Sequence, residues 1–441
     1  MGSAPHPRPT AFAGPDYRKA MASAGVEQAA AAHLEGFVRS VLGIPEASAN
    51  DLPSMPPHLS RLLLRTEELE SDARDQGGRW EYGLSENFRR GKLWEPEVDQ
   101  WLVEVRGRLG AGPRTPLWPE GHSFVVCLTH DVDMVTRTWT PGQVLRSVRI
   151  AVTGSRGAAR AEAVLKALGR TVVFHTSRAP SSAETLQRCV DIEVAREVRG
   201  TYFFTVYPPG RPSWYDSVYT ADDSFVFGDR RRRVRDVMKE LAQAGFDVGL
   251  HGSSASATDA TLLSEQRAVI EDAVDNPVRT TRQHWLHWDA RRTPRAQASA
   301  GFSADSTLGF NRNVGFRAGT SFPFFLPIWD PFRSLDLLEI PLVAQESALF
   351  SPNALELDES LAREVVQKLV DRVATVGGVF TALIHPHSLL DDRVAALYTW
   401  LLDYALDRGA WVASVAEIDS WWRTRVEALT EASPGPLQGI Q

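Results

Sequence analysis

The motif Thr129-His130-Asp131-Val132-Asp133 stands directly behind an apolar run, Phe124-Val125-Val126-Cys127-Leu128. Side chains at i and i+2 of a strand share a face, so Asp131 and Asp133 meet if the strand continues through the motif. Two like charges held that close need a cation or a shared proton. A metal-assisted hydrolase uses such a pair, one carboxylate to hold the ion and the other to handle a proton. Histidines recur at comparable places: His130 in the motif, His251 behind Gly249-Leu250, His284 and His287 in Arg282-Gln283-His284-Trp285-Leu286-His287, and His385 and His387 behind Leu383-Ile384. One such histidine is usually a satisfied polar group. Several, beside an aspartate pair, point to a site.

Something must gather residues that lie up to 256 positions apart in the chain, from Asp131 to His387. Apolar strand patterns occur at residues 124–128, 201–206, 246–251, 337–341, 379–385 and 410–414, and helical patterns at 183–198, 232–245, 260–275, 360–377 and 392–409. This alternation predicts βα units and a mainly parallel sheet, open or closed into a barrel. A barrel places its site at the C-terminal ends of its strands, where the histidines and aspartates fall. Residues 21–115 carry helical patterns and no strand, which predicts a small helical N-terminal region. Residues 110–121 are rich in proline and glycine and read as a linker. The barrel is expected over 120–428, with loose tails at 1–20 and 429–441 and an Arg- and Ala-rich insertion at 134–179.

The bulk numbers exclude several classes. The 441 residues are 43% hydrophobic and 23% charged, an ordinary globular composition. A net charge of −7 gives no electrostatic case for nucleic-acid binding. The two cysteines, Cys127 and Cys189, form no CxxC pair, so neither a disulfide framework nor a thiolate zinc site is expected. No stretch is long and apolar enough to span a membrane, and no signal-like segment opens the chain, so a cytoplasmic location is the default expectation. Oligomeric state is not legible.

Taken in order, the motifs resemble those of the polysaccharide deacetylases, the NodB-homology or carbohydrate esterase 4 type. Leu128-Thr129-His130-Asp131-Val132-Asp133 is similar to the first motif of that family, whose strand ends in a Thr-Phe-Asp-Asp-like sequence. Gly200-Thr201-Tyr202-Phe203-Phe204 resembles its second strand and Gly249-Leu250-His251-Gly252-Ser253 its histidine motif. Arg282-Gln283-His284 resembles its arginine motif, and Leu383-Ile384-His385 its late strand. The resemblance spans roughly residues 124–421 and implies a distorted (β/α) barrel and a deacetylase that binds a divalent metal, expected to be zinc. It further implies that Asp131 is the general base, that Asp133 and His251 are metal ligands, that Arg282 holds the catalytic carboxylate, and that His385 is the general acid. Two departures stand out. The family carries a second ligand four residues after its motif histidine, and that position here is Ala255. Its adjacent aspartates are here split by Val132.

Zinc usually takes three protein ligands and leaves a place for water. With Ala255 unable to serve, the best third candidate is His284; His287 is the weaker choice, and His130 is a ligand or a partner behind the ligands. His387 is expected to orient His385 or exchange roles with it. Asp305 and Arg317, in a polar, glycine-rich stretch read as a loop over the strand ends, are expected to orient the site and to bind an anionic or hydroxylated substrate. Trp285, with Trp288 and Trp329 nearby, suits stacking on a sugar ring. The expected activity is hydrolysis of an acyl group from an amide nitrogen of a sugar-containing small molecule or glycan. The competing expectations are a cyclic-amide hydrolase of the allantoinase kind, possibly metal-independent and favoured by Ala255, and a non-catalytic carbohydrate-binding protein.

Overall fold

The first strand, β1 (Val125–Val132), does not stop at Leu128 where the apolar residues end but runs on through Asp131 to the residue before Asp133, buried along its whole length. The computed structural model describes residues 24–45, 52–75, 78–110, 116–135, 182–207, 216 and 219–431. The expected tail at 1–20, the last ten residues, positions 111–115 of the linker and the insertion beyond Val135 lie outside the described residues.

Eleven further strands follow: β2 (Thr201–Phe204), β3 (Ser224–Phe227), β4 (Arg230–Arg233), β5 (Asp247–Gly252), β6 (Thr280–Gln283), β7 (Ala304–Asp305), β8 (Phe324–Trp329), β9 (Phe332–Glu339), β10 (Leu342–Gln345), β11 (Val379–Leu383) and β12 (Trp411–Ala413). The pair β3–β4 is a separate hairpin; the others form one sheet in the order β10-β11-β1-β2-β5-β6-β7-β9-β8, with β12 alongside the start of β1. All pairings in that sheet are parallel except β8–β9. Closure comes from the chain itself. Strands β9 and β10 are nearly one run, separated only by Ile340 and Pro341. The first half pairs with β7 (Asp305 opposite Glu339), the second with β11 (Leu342 opposite Thr381). Ile340 N–H donates to the Asp305 carbonyl at 2.9 Å and Leu342 N–H to the Leu308 carbonyl at 3.0 Å, so the two edges of the sheet are stitched. The result is the expected distorted α/β barrel.

Helices cover the outside, as the alternating patterns require. Glu359–Val376 is representative: the Asp358 carboxylate caps it by accepting from Leu361 N–H at 2.8 Å, and Gly377, at φ 82°, ends it. Ala362, Val365, Val366, Leu369, Val370, Val373 and Val376 form its buried stripe. Six strands were not foreseen, the β3–β4 hairpin and four in the main sheet. β6 reads Thr-Thr-Arg-Gln, a polar sequence whose side chains serve buried hydrogen bonds, and β7 has two residues. β8 and β10 lie where no strand was placed. Cys127 and Cys189 are buried free thiols, and among the described residues no helix is long and apolar enough to cross a membrane.

The N-terminal helices, chiefly Ala24–Leu42, Pro57–Leu63, Thr66–Glu70 and Glu97–Leu109, share one apolar core with the barrel. Two buried charged joints hold them. Glu68 receives Arg65 and Arg317, each at 2.8 Å. Asp99 accepts from Ser321 N–H at 2.7 Å, Ser321 Oγ at 2.6 Å and Thr320 Oγ1. Burial pushes the Asp99 carboxyl up to about 7 against the opposing pull of those donors. Folding therefore raises its proton affinity, and its contribution to stability, fullest below the ordinary aspartate range, is lost as pH rises towards 7. Thermal melts of wild type and Asp99→Asn across that range should diverge by an amount on the order of a few kcal/mol, wild type losing ground as pH rises. Parallel curves would show that Asp99 does not titrate there.

Candidate metal centre and its flanking groups

Asp133, His251 and His284 come from the ends of β1, β5 and β6, and one ligand atom from each lies within 4.8 Å of the others. His251 Nε2 is 3.4 Å from Asp133 Oδ1, and His284 Nε2 is 3.6 Å from the same oxygen. Tetrahedral bonds of about 2.0–2.1 Å set neighbouring ligand atoms roughly 3.3–3.4 Å apart. Asp133 Oδ1 and His251 Nε2 are both buried without a hydrogen-bond partner, and a cation between them would satisfy both. The donor set thus fits a divalent ion on its geometry and on its unsatisfied atoms.

Local structure aims each candidate ligand. The Tyr219 hydroxyl donates to the Val132 carbonyl and accepts from Thr205 N–H at 3.1 Å, pinning the peptide before Asp133. His251 Nδ1 lies 3.0 Å from the Arg282 carbonyl. A carbonyl only accepts, so the proton sits on Nδ1 and Nε2 keeps its lone pair towards Asp133. Burial lowers the His251 pKa despite the nearby aspartates, which keeps the ring neutral and fit to ligate. His284 Nδ1 meets Asp216 Oδ1 at 3.0 Å. Burial works against a charged His284 ring, but Asp133 and Asp216 outweigh it and raise its pKa. Burial likewise opposes ionisation of Asp133, yet His284, His385, His251 and His387 hold its carboxyl below the usual range. Behind His284 the chain turns sharply, with Trp285 and Leu286 in left-handed backbone at φ 61° and 49°. For such side chains that conformation costs on the order of 1–3 kcal/mol. The Trp285 carbonyl is held in place by Asn311 Nδ2 at 2.8 Å and Arg79 Nη1 at 3.4 Å.

Asp131 shares the face of Asp133. Its Oδ1 lies 3.1 Å from Arg282 Nη1, and its Oδ2 lies 3.6 Å from His251 Nε2. Arg282 is fully buried, and three further guanidinium donors go to Thr129 Oγ1 at 2.7 Å, the Ser306 carbonyl at 2.7 Å and Ser306 Oγ at 2.8 Å. Its guanidinium carbon sits 4.9 Å from the centre of the Phe203 ring. Gly249 makes that stacking possible, since a Cβ there would stand 2.6 Å from the same ring. Across the site His385 Nε2 lies 3.7 Å from Asp133 Oδ2, while its Nδ1 is bonded to Glu346 Oε1 at 2.7 Å. Burial disfavours the charged ring, but Glu346, with Asp133 and Asp131 beyond, pushes its pKa up to about 10.

The other expected residues divide. Trp285 is 49% exposed and stacks on His284, ring centres 5.1 Å apart; Trp288 and Trp329 are core residues. His287 meets the Ser254 carbonyl at 2.9 Å and is not among the residues grouped around Asp133. His387 lies with its ring centre 5.4 Å from that of His385, which Glu346 orients instead. His130 points to the opposite side of β1, where Nε2 meets Glu193 at 2.9 Å and Nδ1 the Ile384 carbonyl at 2.9 Å, so it is no ligand of this centre. Two expectations of substrate contact are corrected. Asp305 is fully buried and accepts from Gln297 at 2.9 Å and Thr307 at 2.5 Å. Arg317 is 6% exposed and engaged by Glu68 and the Gly309 carbonyl, so its loop is largely packed beneath the N-terminal helices. Glu346 and Asp216 were not foreseen. For Glu346 a signal exists, since it directly follows the strand-like Leu342–Gln345; for Asp216 the sequence holds none.

No protein-family model and no curated protein matches the chain. Among solved structures it is similar to a polysaccharide deacetylase from Mycobacterium smegmatis, at 20% identity over 74% of this chain and 96% of that one, with a TM-score of 0.45. A polysaccharide deacetylase from Pseudomonas aeruginosa PAO1 aligns at 13% identity over 74% and 97%, TM-score 0.44. The Xyl-CE4 domain of a multidomain xylanase from the hindgut metagenome of Trinervitermes trinervoides aligns at 10% identity over 68% and 90%, TM-score 0.31.

In the protein stripped of metal, the His385 ring followed by NMR should remain protonated through neutral pH and lose its proton near 10. Glu346→Gln should bring that titration down by more than one unit, since it removes the ring's main counter-charge. A ring that titrates in the ordinary histidine range in wild type would mean that the Glu346 contact is not made in solution.

Proposed function

We propose that this protein is a metal-dependent amide hydrolase that removes an acetyl or similar acyl group from a nitrogen of a sugar-containing small molecule or glycan. The observation that carries the reading is the meeting of Asp133 Oδ1 and His251 Nε2, both unsatisfied, with His284 Nε2 at tetrahedral ligand spacing. A divalent ion held there, most simply zinc, would polarise the acyl oxygen and acidify a water.

The chain's own groups divide the remaining work. Arg282 occupies Asp131 Oδ1 and leaves Oδ2 facing the centre, so Asp131 is the group to take a proton from the attacking water. His385, protonated and aimed by Glu346, stands on the far side of Asp133, where it can donate to the departing nitrogen. A base on one flank and an acid on the other suit acyl transfer from nitrogen, in which both proton movements are needed. The exposed Trp285 indole beside His284 offers a flat apolar face of the kind a pyranose ring covers. A metal-free cyclic-amide hydrolase drew its case from Ala255, and the nearness of His284 to Asp133 weighs against it.

The test is metal analysis joined to turnover. Purified protein should hold about one divalent ion per chain, and His251→Ala should lose it. Asp131→Asn should keep the ion while turnover of an N-acetylated sugar falls roughly 10²- to 10⁴-fold; loss of both together would mean that Asp131 is itself a ligand. Trp285→Ala, assayed at saturating zinc, should raise KM roughly 3- to 10-fold. Activity that persists after complete removal of metal would overturn the reading.

A further inference from the structure

The turn after His251 carries Ala255 and Ser254 where a second side-chain ligand would be looked for, and it contributes through its backbone instead. Ser254 N–H donates to Asp216 Oδ1 at 2.9 Å, and the Tyr207 hydroxyl donates to Asp216 Oδ2 at 2.6 Å. Held from two sides, the buried Asp216 carboxylate presents Oδ1 to His284 Nδ1 at 3.0 Å. We propose that Asp216 is the positioning residue that makes His284 a metal ligand, so that the Ser254 backbone, Tyr207 and Asp216 together replace the missing side chain at position 255. This rests on the metal reading above.

The physical case has three parts. A carboxylate only accepts, so it fixes the His284 proton on Nδ1 and leaves the Nε2 lone pair for the ion. An imidazole has a broad torsion about its last bond and needs a second contact to hold its plane. Asp216 grips one edge of the ring and the Trp285 indole lies against its face, 23° from parallel. A carboxylate behind a ligating imidazole also strengthens the ring as a donor. His251 differs in this respect, since its Nδ1 meets only the neutral Arg282 carbonyl. The two histidine ligands are therefore unequal, and the one remote from the usual position carries the stronger support.

The experiment is chelator-competition titration of zinc on the full chain, with apo-protein melting and far-UV circular dichroism as controls for folding. Asp216→Ala should raise the zinc Kd roughly 10- to 100-fold with the apo melting temperature little moved. Asp216→Asn, which keeps an acceptor without the charge, should fall between it and wild type. If the alanine variant does not fold, Asp216→Asn and Tyr207→Phe carry the test, each expected to weaken zinc by several-fold. A zinc Kd unchanged in the folded Asp216 variants, while His284→Ala loses the ion, would overturn the role of Asp216 and leave the metal centre standing. If His284→Ala also binds like wild type, or if wild type binds no zinc, the metal-ligand reading falls and this inference falls with it.

Discussion

Two carboxylates on one side of the end of a strand, largely buried at the mouth of a barrel, set the terms for what surrounds them. Asp131 is answered by Arg282 and Asp133 by a ring of histidines. Neither answer is cheap. Burying a guanidinium is tolerable only when its donors are taken, and Arg282 finds Thr129, Asp131 and Ser306, with Phe203 against its face. Removing one member of such a network commonly costs about 3–5 kcal/mol, because the partner is left charged and alone. Gly249, Ser306 and the polar strand β6 make sense as consequences of that demand.

The barrel supplies the convergence. Parallel strands all present their C-terminal ends to one rim, and Asp133, His251, His284, Glu346 and His385 each stand at or just past such an end. Closure by the bent run β9–β10 brings Glu346 beside His385, because the second half of that run pairs with β11. The helical N-terminal region reaches the same rim from outside. Glu68 takes up Arg317, and Arg79 helps hold the strained Trp285 turn, so the helices and the loops around the centre are one packed body.

Much of this was legible in the residues. The Val- and Phe-rich strands and the capped, striped helices announce the α/β alternation, and the aspartate pair with its strand-end histidines announces a site. Asp133, His251, His284, Asp131, Arg282 and His385 are brought to one place. Strands β6 and β7 escaped notice because their polar side chains bond inside the barrel, where the usual link between polarity and exposure fails. Asp305 and Arg317 were read as facing a substrate because a polar, glycine-rich stretch looks like an exposed loop. Here each finds buried partners, Gln297 and Thr307 for one and Glu68 for the other.

The sequence by itself determined the chemistry available: which side chains can hold an ion, move a proton or stack on a ring, and which strands end at them. Periodicity and residue type are local properties, and local rules suffice to read them. Residue type offered His284 as the third candidate, but its approach to Asp133 and what aims it were decided by tertiary structure. Ala255 removes the neighbour that spacing would have pointed to. His284 comes up to Asp133 because β6 lies beside β5, and it is held there by Asp216, far away in the chain and seated between Tyr207 and Ser254. A hydrogen bond between residues that distant is a product of packing, and no local pattern records it.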